Sequence, residues 1–490
     1  MKSSKILIFS TLLALLGTAC NDNLDLEQKG IYTTDNYFRN ESDAVAAIAA
    51  IYNYLGQEDY IAHAETTFDV ASDDYWRAGD HGEDEAIENL TYDAANAQVN
   101  FSWTYKYEMV NRATNALINI PKITAITPAI QTRSLGEAHF FRAFGYWRLM
   151  VIYGEVPIIS EENFTNKNFN VPKATLEEVR KQIETDLLQA AELLPESYGP
   201  SDRGRVSKGT AWGLLTKLYM YWEKFPEAIA TGQKVISNPN YALAANYQDN
   251  FTRQNENSTE ILLSIQGLQN VVMNDFTIYY IPRVWGGYSF SEPLQGLVDE
   301  FEPNDPRKFA TIMGVGDTVD IGDGKLNVYA EGMSQTGYSF RKYAVWYPAA
   351  EGGGVDHNFA VPLMRSADVF LLMAEAKIRT AGPGAGDAEI NAVRKRASPL
   401  LPPVVNGGMP ALIHERRVEL AGEGERHQDL MRWDKAGIVD IAALYNRPES
   451  KAPVDKAKNV IFVRPKHYYF PIPQVEIDKS NGVLVQNPNY

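Results

Sequence analysis

The sequence has only one cysteine, Cys20, so a disulfide bond within the chain is excluded. Long apolar runs are lacking after the first twenty residues, and no later stretch is apolar enough to cross a membrane. Runs of lysine and arginine are lacking as well, and the formal net charge is -16 at pH 7. Proteins that bind nucleic acid neutralise phosphates with clustered cations, so this composition argues against a nucleic-acid partner.

Signatures of catalysis are also lacking. The sequence contains no H-E-x-x-H zinc helix, no G-x-S-x-G nucleophile turn and no G-x-x-x-x-G-K-S/T phosphate loop. Asp317, Asp320 and Asp323 lie close together but do not follow the twelve-residue calcium-loop pattern, which favours a solvated turn. We therefore predict no catalytic residue, metal or cofactor, although a glycosidase needs only two carboxylates and is not formally excluded.

The one long apolar run lies at the start of the sequence. Lys2 and Lys5 precede residues 6–17, an apolar stretch too short for a stable membrane span. Small residues then lead to Cys20. This pattern predicts a signal peptide over residues 1–19 and lipidation of Cys20 as the first residue of the mature chain. Acidic residues follow closely, as in the surface-export signals of some Gram-negative lipoproteins.

Much of the remaining chain has helical periodicity, with apolar residues at three- and four-residue spacings. The predicted helices are residues 44–55, 101–120, 135–153, 176–194, 210–222, 226–236, 366–379, 387–396 and 409–422. Leu215, Tyr219 and Ala228 match three signature positions of a tetratricopeptide repeat. Each such hairpin has an apolar face that it cannot bury alone, so the pattern predicts a stacked scaffold of imperfect repeats.

Residues 238–354 differ from this scaffold. They contain many Gly, Asn, Pro and aromatic residues, with short apolar alternations such as residues 261–265 and a predicted small hairpin over residues 317–332. Irregular loops on a rigid scaffold are where binding residues concentrate. No linker divides the chain, so we predict one domain over residues 20–490, with residues 238–354 inserted as a loop-rich region.

Four segments, in this order, resemble the SusD/RagB family of outer-membrane nutrient-binding lipoproteins. They are residues 137–157, beginning EAHFFRAFGYWRL and ending YGEVP; residues 362–376, PLMRSADVFLLMAEA; residues 415–433, containing ERRVELAGEGER and DLMRW; and residues 469–490, beginning YFPIP and ending QNPNY. The resemblance runs along nearly the full length. It implies a mainly α fold, with about four tetratricopeptide-like hairpins fused to an irregular half with short strands.

The resemblance also implies a function. It implies a non-enzymatic, lipid-anchored protein at the cell surface that acts as a lid-like partner of a SusC-like TonB-dependent transporter in the outer membrane. Most members capture oligosaccharides, and the RagB branch leaves a peptide ligand open. Two further hypotheses are a partner that gates the transporter without touching ligand, and a surface enzyme.

The charged residues of the matching segments are predicted to form structural ion pairs. They are Glu415, Arg416, Arg417, Glu419, Glu423, Arg426 and Asp429. Planar arginine forks pair well with carboxylates and hold them ionised, which does not suit a general acid. The same interpretation applies to Glu137 and Arg142, and to Arg365 with Asp368 three residues later on one helix face.

A sugar ring has apolar faces and hydroxyl edges, so its site needs aromatic faces with polar side chains beside them. Residues 73–77 and 283–290 supply that mixture, and the resemblance places ligand contacts in both regions. Gly286 and Gly287 would let the backbone come close to a ligand. The predicted ligand-binding residues are Asp73, Tyr75, Trp76, Arg77, Asn96, Asn100, Trp285, Tyr288 and Trp346. For Trp346 and its neighbour Tyr347, packing beneath the loops is the alternative, and Trp147, Trp212 and Trp433 are predicted to be core.

Overall fold

The structure is a computed structural model that describes residues 37–57, 70–77, 81–253, 258–267, 276–356, 359–397, 401–455 and 458–490. The predicted signal peptide over residues 1–19 and the predicted lipidation site Cys20 lie outside the described residues. Among the helices of the described part, none combines the length and apolarity needed to cross a membrane.

Helices make up most of the regular structure, as the periodicity predicted. In chain order they are α1 Glu41–Leu55, α2 Gly82–Glu88, α3 Ala97–Asn119, α4 Pro128–Tyr153, α5 Glu161–Thr165, α6 Leu176–Leu193, α7 Lys208–Tyr221, α8 Phe225–Ile236, α9 Gln295–Glu300, α10 Pro306–Thr311, α11 Ser366–Ala381, α12 Asp387–Ala397, α13 Met409–Glu419, α14 Arg426–Lys435, α15 Ile441–Tyr445 and α16 Gln474–Lys479. Each predicted helix is present. Helix α4 begins at Pro128 rather than at residue 135, because proline fits the first turn of a helix.

Short strands pair two by two in the described chain. They are β1 Tyr75–Arg77, β2 Ile261–Ile265, β3 Ser291–Pro293, β4 Ile312–Gly314, β5 Thr318–Asp320, β6 Leu326–Val328, β7 Tyr338–Phe340 and β8 Val361–Arg365. The antiparallel pairs are β1–β3, β2–β8, β4–β7 and β5–β6. The β5–β6 pair confirms the hairpin predicted within residues 317–332, and β2 confirms the strand-like alternation at residues 261–265.

Helices α7 and α8 form the hairpin that the repeat positions predicted. Ser207 caps α7 through its side chain, and Pro226 lies in the first turn of α8. Leu215, Tyr219 and Ala228 are all buried. Helix α7 packs on α6, and α8 packs on α11, so neighbouring helices cover the faces that one hairpin leaves apolar. The prediction of a mainly helical, tetratricopeptide-like scaffold is confirmed.

Helix α4 lies inside the helical half and is buried on most of its sides. A Cβ atom on Gly145 would lie 2.7 Å from a side chain of α3, so the glycine permits the close approach of these two helices. Trp147 in α4 and Trp433 in α14 are core residues, as predicted. Trp212 is only half-buried, and the ammonium nitrogen of Lys234 lies 3.4 Å from its ring centroid. The predicted core position of Trp212 is therefore wrong. A lysine side chain, rather than an apolar one, covers the ring at the edge of the scaffold.

A buried network of ion pairs connects the charged segments, as predicted. Arg307 is buried and donates hydrogen bonds to Glu415 and Glu419 at 2.5 and 3.2 Å. Arg416 donates to Asp429 at 2.6 Å. These guanidiniums fix α13 against α10 and α14, so the network is structural.

Two charged residues of α4 also form structural ion pairs. Glu137 pairs with Arg205 at 3.0 Å, and Arg142 pairs with Asp186 at 2.8 Å. These contacts connect α4 to α6 and to the loop before α7.

The predicted pairing of Arg365 with Asp368 is wrong. Arg365 is the last residue of β8 and has extended backbone angles, so helical spacing does not apply to it. Its guanidinium donates to Glu419 at 2.9 Å, whereas Asp368 pairs with Arg416 at 2.8 Å and with Lys217 at 3.0 Å. Both residues form structural ion pairs, but their partners come from elsewhere in the fold.

His427 of α14 holds the loop that leads into β1. Its Nδ1 lies 2.9 Å from the carbonyl oxygen of Ala71, to which it donates when it carries the proton. Burial lowers the pKa of His427 to about 4, because the imidazolium form loses its water. In the unfolded chain the pKa is about 6.5. Stability from the neutral ring is therefore present above about pH 6.5 and is lost as the pH falls through about 4.

We expect the free energy of unfolding to fall between about pH 7 and pH 4, and we expect His427→Asn to reduce that fall by about 2 kcal/mol. Urea denaturation followed by circular dichroism across this range measures the effect. His81→Asn makes the same substitution at an exposed histidine and serves as the control. Equal pH profiles for His427→Asn and the unmodified protein would show that His427 does not cause the loss of stability at low pH.

Candidate ligand-binding surface

The β1–β3 pair brings the two predicted ligand-binding stretches together. Trp76 in β1 lies opposite Glu292 in β3, and Arg77 lies opposite Ser291. Phe290 directly precedes β3, and the guanidinium carbon of Arg77 lies 4.3 Å from its ring centroid. Residues 73–77 and 283–290 therefore lie side by side, with the first stretch paired to the loop-rich region over residues 238–354.

Side chains of β1 alternate between its two faces. Tyr75 and Arg77 are buried, whereas Trp76 is half-buried. Arg77 pairs with Asp84 at 2.5 Å, and the ring centroid of Tyr75 lies 5.1 Å from that of Phe340. Trp76 is therefore the side chain of this strand that is best placed to meet a ligand.

Asp73 is buried and paired with arginines. Arg426 donates to both of its carboxylate oxygens at 2.7 and 2.9 Å, and a nitrogen of Arg417 lies 3.4 Å away. Burial alone would raise the pKa of Asp73, but the two guanidiniums outweigh burial and hold that pKa well below its usual range. Ligand contact by Asp73, Tyr75 and Arg77 stays a prediction. In the structure, these three side chains anchor the segment that carries Trp76.

A hydrogen bond orients the indole ring of Trp76. Its Nε1 donates to Oδ2 of Asp455 at 2.7 Å, and the other oxygen of that carboxylate pairs with Lys458 at 2.9 Å. A charged acceptor makes this bond stronger than one to a neutral group. The ring is thus held in one orientation before any ligand arrives.

Tyr288 is the most exposed of the predicted ligand-binding residues, with 41% of its surface accessible. Its ring centroid lies 5.1 Å from that of Phe290 and 5.8 Å from that of Tyr279, which it meets at 79°. Its backbone N–H donates to the carbonyl of Ile278 at 2.7 Å, and Arg283 donates to its carbonyl at 3.1 Å. Tyr288 therefore presents an accessible ring on a rigid base.

Trp285 ends the short 3-10 turn Arg283–Trp285 and is half-buried. Its ring meets Trp346 at 82° with centroids 6.1 Å apart, and meets Tyr329 at 80° with centroids 5.8 Å apart. The buried Trp346 also donates from Nε1 to the carbonyl of Trp285 at 3.3 Å. Such edge-to-face contacts stabilise aromatic pairs, so Trp346 and Tyr329 support Trp285 from below.

The turn after Trp285 requires its glycines. Gly286 has a φ of +92°, in the left-handed region that glycine adopts without strain. A Cβ atom on Gly287 would lie 2.1 Å from the carbonyl oxygen of Ile281. Close packing of the turn on itself therefore accounts for Gly287, and ligand approach at either glycine stays a prediction.

Asn96 and Asn100 lie at the start of α3, away from the aromatic rings in sequence. Asn96 caps the helix: its Oδ1 accepts from the backbone N–H groups of Gln98 and Val99, and its Nδ2 donates to the carbonyl of Glu83. Asn100 is half-buried, and its Oδ1 is buried without a hydrogen-bond partner in the described chain. Their ligand contacts stay predictions, and the structure gives Asn96 a capping role.

The described residues contain no group of three or more His, Cys, Asp or Glu side chains placed to hold a metal ion. In the acidic turn between β5 and β6, Asp320 accepts hydrogen bonds from the backbone of Gly322 and Gly324, and Asp323 accepts one from Lys325. These carboxylates stabilise the backbone of their own turn.

Comparison with known proteins shows which family this chain belongs to. Residues 230–490 match the family model described as the SusD family, and residues 24–220 match a model described as starch-binding and associating with the outer membrane. The chain belongs to the SusD family. The SusD resemblance drawn from the four sequence segments is therefore confirmed.

Individual SusD-like proteins are similar to this chain in sequence and in fold. A SusD-like protein of Bacteroides ovatus is 27% identical over 88% of this chain and 82% of its own length. A SusD-like protein of Bacteroides fragilis has a solved structure with a TM-score of 0.78, at 21% identity over 93% of this chain and 98% of that one. A laminarin-binding SusD-like protein has a TM-score of 0.75, at 26% identity over 92% of this chain and all of that one.

Some residues of this SusD-family surface were missed in the sequence. Asp455 lies 379 positions from Trp76, and nothing in its local sequence indicates an indole partner. Tyr329, beneath Trp285, gives no local signal either. Phe290 lies within the predicted stretch 283–290, so its neighbourhood was predicted, although its contacts with Arg77 and Tyr288 were not.

Proposed function

We propose that this SusD-family protein captures a glycan at the cell surface and passes it, chemically unchanged, to a SusC-like TonB-dependent transporter in the outer membrane. The observation that carries the proposal is a set of oriented aromatic rings in and beside the loop-rich region: the exposed Tyr288 and the half-buried Trp76 and Trp285. A sugar ring stacks its apolar face on such rings, and little side-chain entropy is lost because hydrogen bonds and neighbouring rings already hold them.

The comparisons support a glycan as the ligand class. One neighbour of similar fold is described as laminarin-binding, and the family model that matches residues 24–220 is described as starch-binding. The same description, associating with the outer membrane, supports the location. In this proposal, the lipid on Cys20 attaches the protein to that membrane, and the transporter supplies the energy for uptake.

The direct test uses protein that lacks residues 1–20, screened against laminarin, starch, other polysaccharides and a peptide panel. Affinity electrophoresis shows which polymer retards the protein, calorimetry measures the affinity, and chromatography of the polymer shows whether it is cut. Retardation by a glycan without cleavage is the expected result. Binding to peptides alone would contradict the glycan ligand, and cleavage of the polymer would contradict a binding protein.

The hydrogen bond between Trp76 and Asp455 leads to a separate prediction. We expect Asp455→Ala to weaken binding of the retarding glycan by about threefold to tenfold, since loss of the hydrogen bond frees the indole ring and ordering a side chain on binding costs about 0.5–1.5 kcal/mol. Calorimetric titration measures the change. Asp440→Ala removes an exposed carboxylate elsewhere and serves as the control. Unchanged affinity in Asp455→Ala would show that the orientation of Trp76 does not matter for binding.

A further inference from the structure

A concave region lies among the helices, and its lining includes none of the loop residues around Trp285. Helices α4, α6 and α14 and residues 468–469 enclose a pocket of about 280 Å³. Met150, Leu176 and Met431 give it apolar walls. A pocket of this size fits one six-membered ring with a substituent and is too small for a polymer segment of several sugars.

The charge of this pocket is opposite to that of the whole chain. Arg180, Arg432 and Lys435 line it, and no Asp or Glu is among its lining residues, although the formal net charge of the chain is -16. Carboxylates of neighbouring residues compensate part of this charge, but none of them lines the pocket. The pocket therefore favours a negatively charged ligand.

Two of the three cations have no carboxylate partner within the described chain. Arg432 is neutralised by Glu375 and Asp429, with nitrogen–oxygen distances of 2.6 and 2.8 Å. Arg180 instead donates to the carbonyl oxygen of Tyr221 at 3.1 Å, and its Nε is buried without a hydrogen-bond partner in the described residues. Burial lowers the pKa of Arg180 and outweighs the opposing effect of Tyr469, Glu177 and Glu223, none of which forms an ion pair with it.

Lys435 supplies the second available charge. Its ammonium nitrogen lies 3.9 Å from the ring centroid of Tyr469 and 5.0 Å from that of Tyr468. The described residues place no carboxylate within ion-pair distance of it. Cation–π contacts hold an ammonium in place without neutralising its charge, so Lys435 stays able to bind an anion.

We propose that this pocket binds a single ring bearing a carboxylate, with acidic monosaccharides of the uronic-acid type as the ligand class. Arg180 and Lys435 hold the carboxylate through charge-assisted hydrogen bonds, and the apolar face of the ring lies against Met150 and Met431. The amide of Gln428, on the same wall, reaches the ring hydroxyls. This site is independent of the proposed glycan surface, because the two share no residue.

The test measures binding of D-glucuronate, D-glucose and benzoate to the chain lacking residues 1–20, by ligand-observed NMR and calorimetry. Glucuronate is expected to bind at least about tenfold more tightly than glucose, since only glucuronate forms the charge-assisted bonds. Lys435→Glu should abolish detectable glucuronate binding, and Arg180→Gln should weaken it about tenfold. Arg203→Gln removes an exposed arginine outside the pocket and should leave affinity unchanged.

Thermal unfolding accompanies each variant, because Arg180 also supports the backbone of α7. Lys435 is exposed, so we expect its replacement to leave the fold intact, and that variant decides the outcome if Arg180→Gln unfolds. Benzoate binding that Lys435→Glu also abolishes would support a site for carboxylated rings in general. Benzoate binding without glucuronate binding would overturn the sugar assignment.

Equal affinity for glucuronate and glucose, no binding of either acid, or glucuronate binding that survives Lys435→Glu would overturn the site. The experiments can contradict the pocket proposal without contradicting the glycan-surface proposal, and the reverse. Trp285→Ala should keep its glucuronate affinity, whereas Lys435→Glu should keep its affinity for the retarding polysaccharide.

Discussion

Replacing Glu419 with glutamine is expected to lower the free energy of unfolding by about 3–5 kcal/mol, because it removes one negative charge that three arginines of the buried network share. The carboxylate of Glu419 is fully buried and accepts hydrogen bonds from Arg307, Arg365 and Arg396. Burial favours its neutral form, but these three arginines outweigh burial and lower the pKa of Glu419 to about 2. The network therefore contains an ionised carboxylate that glutamine matches in shape and not in charge.

Urea denaturation of Glu419→Gln, followed by tryptophan fluorescence, measures this loss. The exposed i,i+4 pair of Glu108 and Arg112, 2.9 Å apart, provides the matched comparison. We expect Glu108→Gln to cost less than about 1 kcal/mol, because water screens an exposed pair. Equal losses for the two variants would mean that burial of the network does not determine its contribution.

Replacing Trp285 with alanine is expected to weaken glycan binding by about 30-fold or more, as for a central aromatic contact in a binding surface. Trp346 and Tyr329 hold the ring edge-to-face, so truncation removes the stacking face and also exposes the rings beneath it. Tyr288→Ala should have a smaller effect, of about tenfold, because a single phenol ring offers less stacking area than an indole.

Calorimetry with the glycan that retards the unmodified protein measures both losses. Trp212→Ala is the control, because it truncates a half-buried tryptophan that lies on the helical scaffold under Lys234. Its affinity should stay within about twofold of the unmodified protein, since the cost of truncation there falls on packing rather than on binding. If Trp285→Ala bound as tightly as Trp212→Ala, ligand stacking on Trp285 would be excluded.

Local rules explain why the helices were predictable. Helix α6 begins one residue after Thr175, whose side chain accepts from the backbone of Glu178 while Glu178 accepts in return. The apolar spacing from Leu176 onward then continues over the next turns. Capping and periodicity act over three or four residues, so the amino-acid order alone specifies where such a helix lies.

The candidate site was predictable only in part, and Asp73 shows why. Its segment, DDYWR, has the composition of a sugar-binding loop, and the structure leaves Trp76 of that segment half-buried. Whether a carboxylate meets solvent or an arginine depends on Arg426, which lies 353 positions further along the chain. Composition and local spacing contain no information about that pairing.

By itself, the sequence determined the helical scaffold and the SusD family and located the two stretches that supply aromatic rings, whereas the signal peptide and the lipidation of Cys20 stay predictions. These follow from periodicity, capping and motif order, which act within a few residues or along the chain. Only the tertiary structure decided that Arg365 and Asp368 have different partners, that Asp455 orients Trp76 and that Trp346 lies beneath Trp285. It also decided that Arg180 and Lys435 share a pocket without a carboxylate. Burial and ion pairing depend on which distant side chains come within a few ångströms, and folding brings them together in space.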